Sequence, residues 1–276
     1  MAAIIKMKMR YIFMIMGIAL FLPPLSLIPQ FAGEVNMCGA VCPRMFFIIP
    51  SKGGASGLLN NINSMWFGVT LVSAILLSTL FLGRLWCSHL CPVGGASELG
   101  SKGIPDKLKI NFSFMNAPAF RYGYLFVYIA GAVIGIGNIT CKLCNFRVLP
   151  FLIGSPFVPA YQTYLLTTMG IAGLFTIGLT GFFAKGGRAY CNLLCPIGAI
   201  DSIVNYARSG FGFSRKVKTD QARCTGCGRC IDSCMVWAIK MDENRKAQRN
   251  DLSCMSCREC EKVCPEGAIG YGKHKI

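Results

Sequence analysis

Four long apolar runs, separated by shorter charged segments, set the hydrophobic pattern of residues 1–208. The runs occupy residues 11–28, 65–82, 122–139 and 164–183. Each is near the short end of the length that crosses a hydrocarbon core about 30 Å thick. Buried helices of a soluble protein are the alternative, but four runs without an amphipathic face argue against it. The pattern therefore predicts four transmembrane helices.

The first run follows Lys6, Lys8 and Arg10 and resembles the hydrophobic part of a signal peptide. No small-residue cleavage site follows it, so a retained span is predicted. Lysine and arginine are concentrated before the first run and between the second and third, which predicts a multi-pass protein of the cytoplasmic (inner) membrane with both termini in the cytoplasm. This bias and a basic C-terminal segment explain most of the formal net charge of +16, so nucleic-acid binding is not expected.

Residues 1–208 contain an internal duplication. The segment 83–94 returns 104 residues later as the segment 187–198, with glycines, an arginine, an aromatic residue, two cysteines and a proline in register. The duplication predicts two helical hairpins of the same sense, related by a pseudo-two-fold axis along the membrane normal. Each copy ends in a CxxxCP motif, which supplies two thiolates and so half of a [4Fe–4S] site. Joined across the axis, four cysteines form an inner quartet that would hold one shared cluster: Cys87, Cys91, Cys191 and Cys195.

A second, less regular pair of cysteine motifs follows the first and third runs. The same symmetry predicts a second shared cluster at the outer face of the membrane. Four cysteines, here called the outer quartet, would hold it: Cys38, Cys42, Cys141 and Cys144. Short apolar stretches with proline come next, at residues 45–50 and 148–159, where re-entrant segments are predicted. Because the outer compartment is oxidising, disulfides or a thiol–disulfide exchange pair stay open as alternatives, as do zinc and a cluster shared with a partner subunit.

The C-terminal segment has the most specific motifs. CxxCxxCxxxC occurs twice there, and in such a pair three thiolates hold one cubane while the fourth ligates its neighbour. One [4Fe–4S] cluster is predicted on Cys224, Cys227, Cys230 and Cys264, and the other on Cys254, Cys257, Cys260 and Cys234. Residues 215–272 thus resemble a bacterial two-cluster ferredoxin. Met235 stands where the first motif normally has proline.

The predicted fold class is an all-α membrane domain followed by a small α+β ferredoxin-like domain. The first domain covers residues 1–208, with repeats at about 1–104 and 105–208, and the second covers 209–276. All sixteen cysteines fall at metal-ligand spacing, which predicts four [4Fe–4S] clusters, or three if the outer quartet is disulfide-bonded. The chain has two histidines and no CxxCH motif, so no haem is expected.

Three further residues are candidates for the surroundings of a cluster or a quinone. Arg84 and Arg188 recur at the same repeat position, just before a cysteine, where a cation would stabilise a reduced cluster; snorkelling at a helix end is the alternative. His89, inside the first CxxxCP, could serve proton transfer or bind a quinone head group, or merely fill an interface as its counterpart Leu193 does. No nucleophile–base pair or nucleotide-binding loop is found, so no catalytic residue is assigned.

The apolar runs, the paired CxxxCP motifs and the two-cluster tail together resemble the NapH family of membrane quinol dehydrogenase subunits. The resemblance implies an electron-transfer subunit of an oxidoreductase complex of anaerobic respiration, which contacts the lipid bilayer, other redox subunits and quinone. The outer cysteines depart from the family pattern, and a cluster on them would let electrons reach a partner at the outer face without quinone. The alternative function is a redox-active maturation or regulatory factor for a metalloenzyme.

Overall fold

The computed structural model describes residues 2–22, 66–133, 143–208 and 215–272. Up to residue 208 these residues are largely helical. The helices are α1 (Ala2–Phe21), α2 (Trp66–Leu82), α3 (Pro92–Lys102), α4 (Ala117–Val133), α5 (Asn145–Gly154), α6 (Pro159–Leu165), α7 (Thr168–Ile177), α8 (Ala189–Leu193) and α9 (Pro196–Ala207). Single π-helical turns lie at Trp86–Leu90 and Gly178–Phe182, and a 3-10 turn lies at Asp106–Leu108.

The predicted membrane domain of four transmembrane helices is wrong for this structure. Among the described residues, no single helix is both long and apolar enough to cross a membrane. The second and third runs give helices of 17 residues, or about 25 Å at 1.5 Å per residue. The fourth run is interrupted where the Thr167 hydroxyl caps α7 by accepting from the Gly170 amide. The segments on either side, Pro159–Leu165 and Thr168–Phe182, meet the length and hydropathy requirement only together and are bent by 82°.

The reason for the error is that hydropathy counts apolar residues and does not detect a cap within a run. A threonine costs little in mean hydropathy, yet its hydroxyl can satisfy a free amide and start a new helix. Of the two predicted re-entrant stretches, 148–159 lies mainly in α5, which packs against α6 and α7. Residues 45–50 lie outside the described residues. The buried core beneath these helices comprises Leu22, Val93, Val148, Leu149, Leu165 and Ile177.

The internal duplication is visible in the backbone. α3 and α9 each begin at the proline of a CxxxCP motif, and the preceding cysteine is the extended N-cap, with φ/ψ of −60°/115° at Cys91 and −75°/115° at Cys195. Proline suits the first helical position because its missing N–H has no partner within the helix. The motif therefore starts a helix and places a thiol at its N-terminus in both repeats.

The C-terminal segment is a small α+β unit, as predicted. Two antiparallel pairs form its sheets: β1 (Lys216–Thr219) with β4 (Ile269–Gly272), and β2 (Ile239–Met241) with β3 (Ala247–Arg249). Each CxxCxxCxxxC motif contains one short helix, α10 (Arg229–Asp232) or α11 (Glu259–Val263). The strands supply apolar side chains that pack around five of the eight tail cysteines, Cys224, Cys230, Cys234, Cys260 and Cys264.

Candidate metal centres

The first tail site is a small cavity lined by four cysteines, Cys224, Cys227, Cys230 and Cys264. Cys227 is the exposed member and Cys230 is buried. The Ala247 amide lies 3.5 Å from the Cys224 sulfur, and the Ala268 amide lies 3.3 Å from the Cys264 sulfur. Such N–H donors favour the thiolate form, which is the form that ligates metal. The donor set and its shared cavity fit the predicted cubane.

The second tail site brings together Cys254, Cys257, Cys260 and Cys234, which lie within electrostatic reach of one another. The Ala238 amide donates to the Cys234 sulfur at 3.2 Å, in the same relation that Ala268 has to Cys264 in the first site. Two of these four cysteines, Cys254 and Cys260, are buried. The structure therefore brings these four cysteines together at one site.

The inner quartet also comes together from the two repeats. Cys87 is within electrostatic reach of Cys91 and Cys195, and Cys91 is within reach of Cys191. The Cys195 sulfur accepts a hydrogen bond from the Gly198 amide at 3.3 Å. Within the described residues no group of three His, Cys, Asp or Glu side chains converges as around a single metal ion.

Both predicted arginines lie against the inner quartet and form crossed ion pairs. Arg84 of the first repeat pairs with Asp201 of the second, at 3.0 Å between Nε and Oδ2. Arg188 of the second pairs with Glu98 of the first, at 2.8 Å between Nη2 and Oε2. Arg84 is 2% exposed and Arg188 is fully buried. Snorkelling at a helix end is therefore excluded for both, and each arginine has a buried carboxylate as its counter-ion.

The last glycine of each repeated motif makes room for the arginine of the other repeat. A Cβ added to Gly94 would lie 1.9 Å from Nη1 of Arg188, and one added to Gly198 would lie 3.2 Å from Nη2 of Arg84. The two guanidinium groups also donate to main-chain oxygens, those of Cys87 and Gly198. The repeated glycine therefore reflects close packing across the pseudo-symmetry axis.

Arg10 is a functional candidate that the sequence did not identify, since there it served only as a topology signal. It is 1% exposed, and its guanidinium lies 2.6 Å from Glu98, 3.0 Å from Glu259 of the tail and 3.1 Å from the Ser88 carbonyl oxygen. Burial by itself raises the pKa of Glu98, but Arg188 and Arg10 outweigh burial and hold that pKa below its ordinary value. Glu98 is thus a carboxylate shared by two buried cations.

His89 lies at the edge of the same region. Its Nδ1 is 2.6 Å from the Ser88 hydroxyl. Burial, and then repulsion from Arg10, lower the pKa of His89 to about 4, so the ring is neutral near pH 7. Its counterpart in the second repeat, Leu193, is buried. The quinone role predicted for His89 stays a prediction.

The tail docks directly on the inner quartet. Cys87 packs in one buried cluster with residues of the second tail site, Val236, Ala238, Cys254 and Met255, and Cys234 and Cys257 border this cluster. Asn192 donates to the Val236 carbonyl oxygen at 2.8 Å, and Arg121 donates to the Leu252 carbonyl oxygen at 2.8 Å. Asn192 lies inside the second CxxxCP motif, where its counterpart in the first is Ser88, and no sequence motif marks Arg121. The contact leaves no water layer between the inner quartet and the second tail site.

Of the predicted outer quartet, Cys38, Cys42 and Cys141 lie outside the described residues. The Cys144 sulfur is hydrogen-bonded to the Tyr190 hydroxyl and lies within electrostatic reach of Cys195. Cys144 thus lies close to an inner cysteine of its own repeat. The helix that follows it, α5, packs against α6 and α7.

Comparison with known families agrees with these sites. A 4Fe-4S binding domain model matches residues 64–111 and again 166–217, which are the two repeats. A 4Fe-4S dicluster domain model matches residues 223–268. The matched ranges contain the inner quartet and both tail sites.

Individual relatives cover most of this chain. The ferredoxin-type protein NapH of Escherichia coli is 26% identical over 206 residues, which is 72% of this chain and 66% of NapH. YccM of the same organism is 26% identical over 71% of this chain and 52% of its own length. An uncharacterised protein of Methanocaldococcus jannaschii is 33% identical over 74% of this chain and 70% of that protein. The chain therefore spans about half to two thirds of the length of NapH and YccM. No solved structure matches.

Proposed function

Because the chain belongs to the family of ferredoxin-type, 4Fe-4S electron-transport proteins that includes NapH and YccM, we propose that it is the conduit subunit of an oxidoreductase complex. In this proposal it relays electrons one at a time between a donor or acceptor at its tail and a redox partner or the quinone pool beyond the inner quartet. Four [4Fe–4S] clusters are proposed, on the two tail sites, the inner quartet and the outer quartet.

The contact between Cys87 and the second tail site carries this proposal. Side chains of the inner quartet and of the tail pack in one buried cluster, so electrons need not cross solvent between them. The first tail site stands at the other end of the tail, where Cys227 is exposed and a partner protein can approach. The sites thus form a row from an accessible end to a buried one, as a conduit requires.

Bound clusters supply reversible one-electron exchange, and the chain supplies their surroundings. Its thiolates hold the irons, while amide donors such as those of Gly198, Ala238 and Ala268 stabilise the sulfur charge. Arg84 and Arg188 place two permanent positive charges at the inner quartet, and these favour its more negative, reduced state. Asp201 and Glu98 compensate those charges when the site is oxidised, which limits the preference.

We also propose that the helices of the repeats work in contact with the cytoplasmic membrane, without assigning a number of crossings. Large apolar side chains are exposed on α2, α4 and α7, among them Phe81 at 53%, Phe126 at 72% and Phe175 at 70%. Exposed apolar surface of this kind is covered by lipid or by a partner in a folded protein. Membrane fractionation at neutral pH tests this: recovery of the chain in the soluble fraction would contradict it.

The central experiment is anaerobic purification with iron and sulfide quantitation. Four cubanes require about sixteen irons and as many sulfides per chain, whereas a value near twelve would remove the outer cluster and one near eight would leave only the tail. Cys87→Ser and Cys195→Ser, one from each repeat, should each abolish the same spectroscopic signal and preserve the tail signals. Loss of two different signals would contradict a shared inner cluster.

A further inference from the structure

Arg10 of α1 is bound to the segment that carries the inner cysteine Cys87. Its Nε donates to the Ser88 carbonyl oxygen at 3.1 Å, one residue after that cysteine. Its Nη2 donates to Oε2 of Glu98 at 2.6 Å, and the same oxygen lies 2.8 Å from Nη2 of Arg188. Arg10 thus shares a counter-ion with an arginine that lies against the inner quartet.

The other side of the Arg10 guanidinium is bound to the second tail site. Nη1 donates to Oε1 of Glu259 at 3.0 Å, and Nη2 lies 3.9 Å from Sδ of Met235. Glu259 directly precedes Cys260, and Met235 directly follows Cys234, and both cysteines belong to that site. Because arginine carries its donors in a rigid planar fork, one side chain can hold both protein segments at fixed positions.

The packing of α1 fixes Arg10 between the first repeat and the tail. Met14 and Gly17 follow Arg10 by four and seven residues, so the three residues share one face of the helix. Met14 is fully buried, and a Cβ added to Gly17 would collide with the Leu90 carbonyl oxygen. Leu90 ends the π-helical turn Trp86–Leu90, which contacts α1. This face of α1 therefore lies directly on the turn that carries the first inner cysteine.

The position of Arg10 gives its charge an effect on both sites. Arg10 is 1% exposed, so solvent screens its charge little, and a guanidinium keeps its proton in a folded protein. A reduced cluster carries one more negative charge than an oxidised cluster, so a fixed cation beside it favours the reduced state. Arg10 also lies outside the ranges that the 4Fe-4S domain models match, the first of which begins at residue 64. Its role therefore does not follow from the cluster motifs.

We propose that Arg10 is a positioning residue shared by two clusters, those of the inner quartet and the second tail site: it holds their segments in contact, and its charge favours the reduced state of both. The inference rests on the proposed function, because both sites must hold clusters. Transfer between them moves one electron, which oxidises one cluster and reduces the other. No covalent bond forms or breaks, and no proton is transferred. Because Arg10 raises both reduction potentials, their difference changes less than either potential does.

The test uses the full chain, purified without oxygen, and starts with Arg10→Met. The variant loses the cation but leaves each carboxylate with a second one, Arg188 for Glu98 and Lys262 for Glu259. At a fixed potential, the reduced-to-oxidised ratio of both clusters should fall by about tenfold, which is about 59 mV for a one-electron couple. The first tail cluster should keep its ratio. Redox titration followed by electron paramagnetic resonance measures all three.

Two further variants separate the charge of Arg10 from its contacts. Arg10→Lys keeps the charge and loses the planar fork, so both ratios should stay within about twofold of those of the unmodified chain. Glu259→Gln removes a negative charge beside the second tail site and should raise the ratio of that cluster by about threefold. A purely structural ion pair would not give shifts of opposite sign on loss of its two partners.

The matched control is Lys107→Met, which removes one positive charge from an exposed turn and should shift no cluster. If Arg10→Met does not retain iron, Glu259→Gln decides, and an unchanged or lowered ratio in that variant would overturn the inference. A shift in Arg10→Lys as large as that in Arg10→Met would also overturn it, as would equal shifts of all three clusters.

The same titrations separate the inference from the proposal beneath it. If the unmodified chain shows the inner signal and the second tail signal, but Arg10→Met moves neither ratio or only one of them, the inference is overturned and the proposed function stands. If the unmodified chain lacks either signal, the row of clusters is broken and the proposed function itself fails.

Discussion

The two halves of the tail, one for each CxxCxxCxxxC motif, have the same turn conformation after the motif but different surroundings. Three residues after the last cysteine of each motif the chain takes a left-handed turn, with φ of 51° at Trp237 and 56° at Gly267. In the first motif Met235, Val236 and Trp237 face the repeats, and in the second Pro265, Glu266 and Gly267 are exposed to solvent. The same loop is a docking surface in one half and a free surface in the other.

The difference explains why the first motif departs from the usual proline. Met235 lies against the main chain of the second repeat, so closely that a Cβ on Gly186 would be 2.8 Å from its Cα. Trp237 packs on Phe112, with ring centroids 5.9 Å apart. An indole in a left-handed turn is strained, and the apolar contact offsets that strain. The residues that differ between these two otherwise similar loops, Met235 and Trp237 among them, thus determine which tail site packs against the repeats.

The largest effect on stability is expected from removing a buried charge beside the half of the tail that packs against the repeats. Glu98→Gln removes a carboxylate shared by Arg10 and Arg188 and should cost about 3–5 kcal/mol of unfolding free energy, because two buried cations lose their compensation. Chemical denaturation followed by cluster absorbance measures it. Asp106→Asn, at an exposed pair with Lys109, is the control and should have no measurable effect. Equal losses in the two variants would contradict the buried network.

A smaller effect is expected from the polar contact of the docked half. Asn192→Ala leaves the Val236 carbonyl and Arg121 without this partner and should weaken docking by about 2 kcal/mol. Hydrogen exchange at residues 235–238 should rise, while exchange near Cys264 stays the same. Asn244→Ala, in an exposed turn of the tail, is the matched control. Faster exchange throughout the tail would mean that the variant unfolds it and does not undock it.

Making the docked loop resemble the free one should have a moderate effect. Trp237→Gly loses the indole packing, worth roughly 2 kcal/mol, but relieves roughly 1 kcal/mol of left-handed strain, so a net loss of about 1 kcal/mol is expected. Iron content should be retained, and electron transfer from the tail to the inner cluster should slow in stopped-flow reduction. Unchanged transfer would show that Trp237 does not hold the two sites together.

The smallest effect on docking is expected from the free half. Gly267→Ala adds left-handed strain of about 1 kcal/mol within the tail, and among the described residues none of the repeats lies within 4 Å of its new Cβ. Transfer to the inner cluster should equal that of the unmodified chain. Slower transfer at full iron content would mean that the two halves do not act separately.

Much of the chemistry followed from spacing. The two CxxCxxCxxxC motifs and the repeated CxxxCP motif predicted which cysteines share a cluster. In the structure the eight tail cysteines lie at two sites and the inner cysteines lie near one another at a third. The recurrence of Arg84 and Arg188 predicted two cations at the inner site. These features depend on short segments whose geometry is set locally by proline, glycine and the ligand interval, so the sequence alone determines them.

The long-range arrangement could only come from the fold. Hydropathy predicted four spans, but the cap and the bend that divide the fourth run depend on which side chain reaches which amide. Several contacts join residues that are distant in the chain. They are the ion pairs of Asp201 with Arg84 and of Glu98 with Arg188 and Arg10, and the approach of Cys144 to Tyr190. The amino-acid composition does not distinguish a carboxylate in solvent from one in the core. Only tertiary packing decides whether its neighbour is water or an arginine, and that neighbour sets its role.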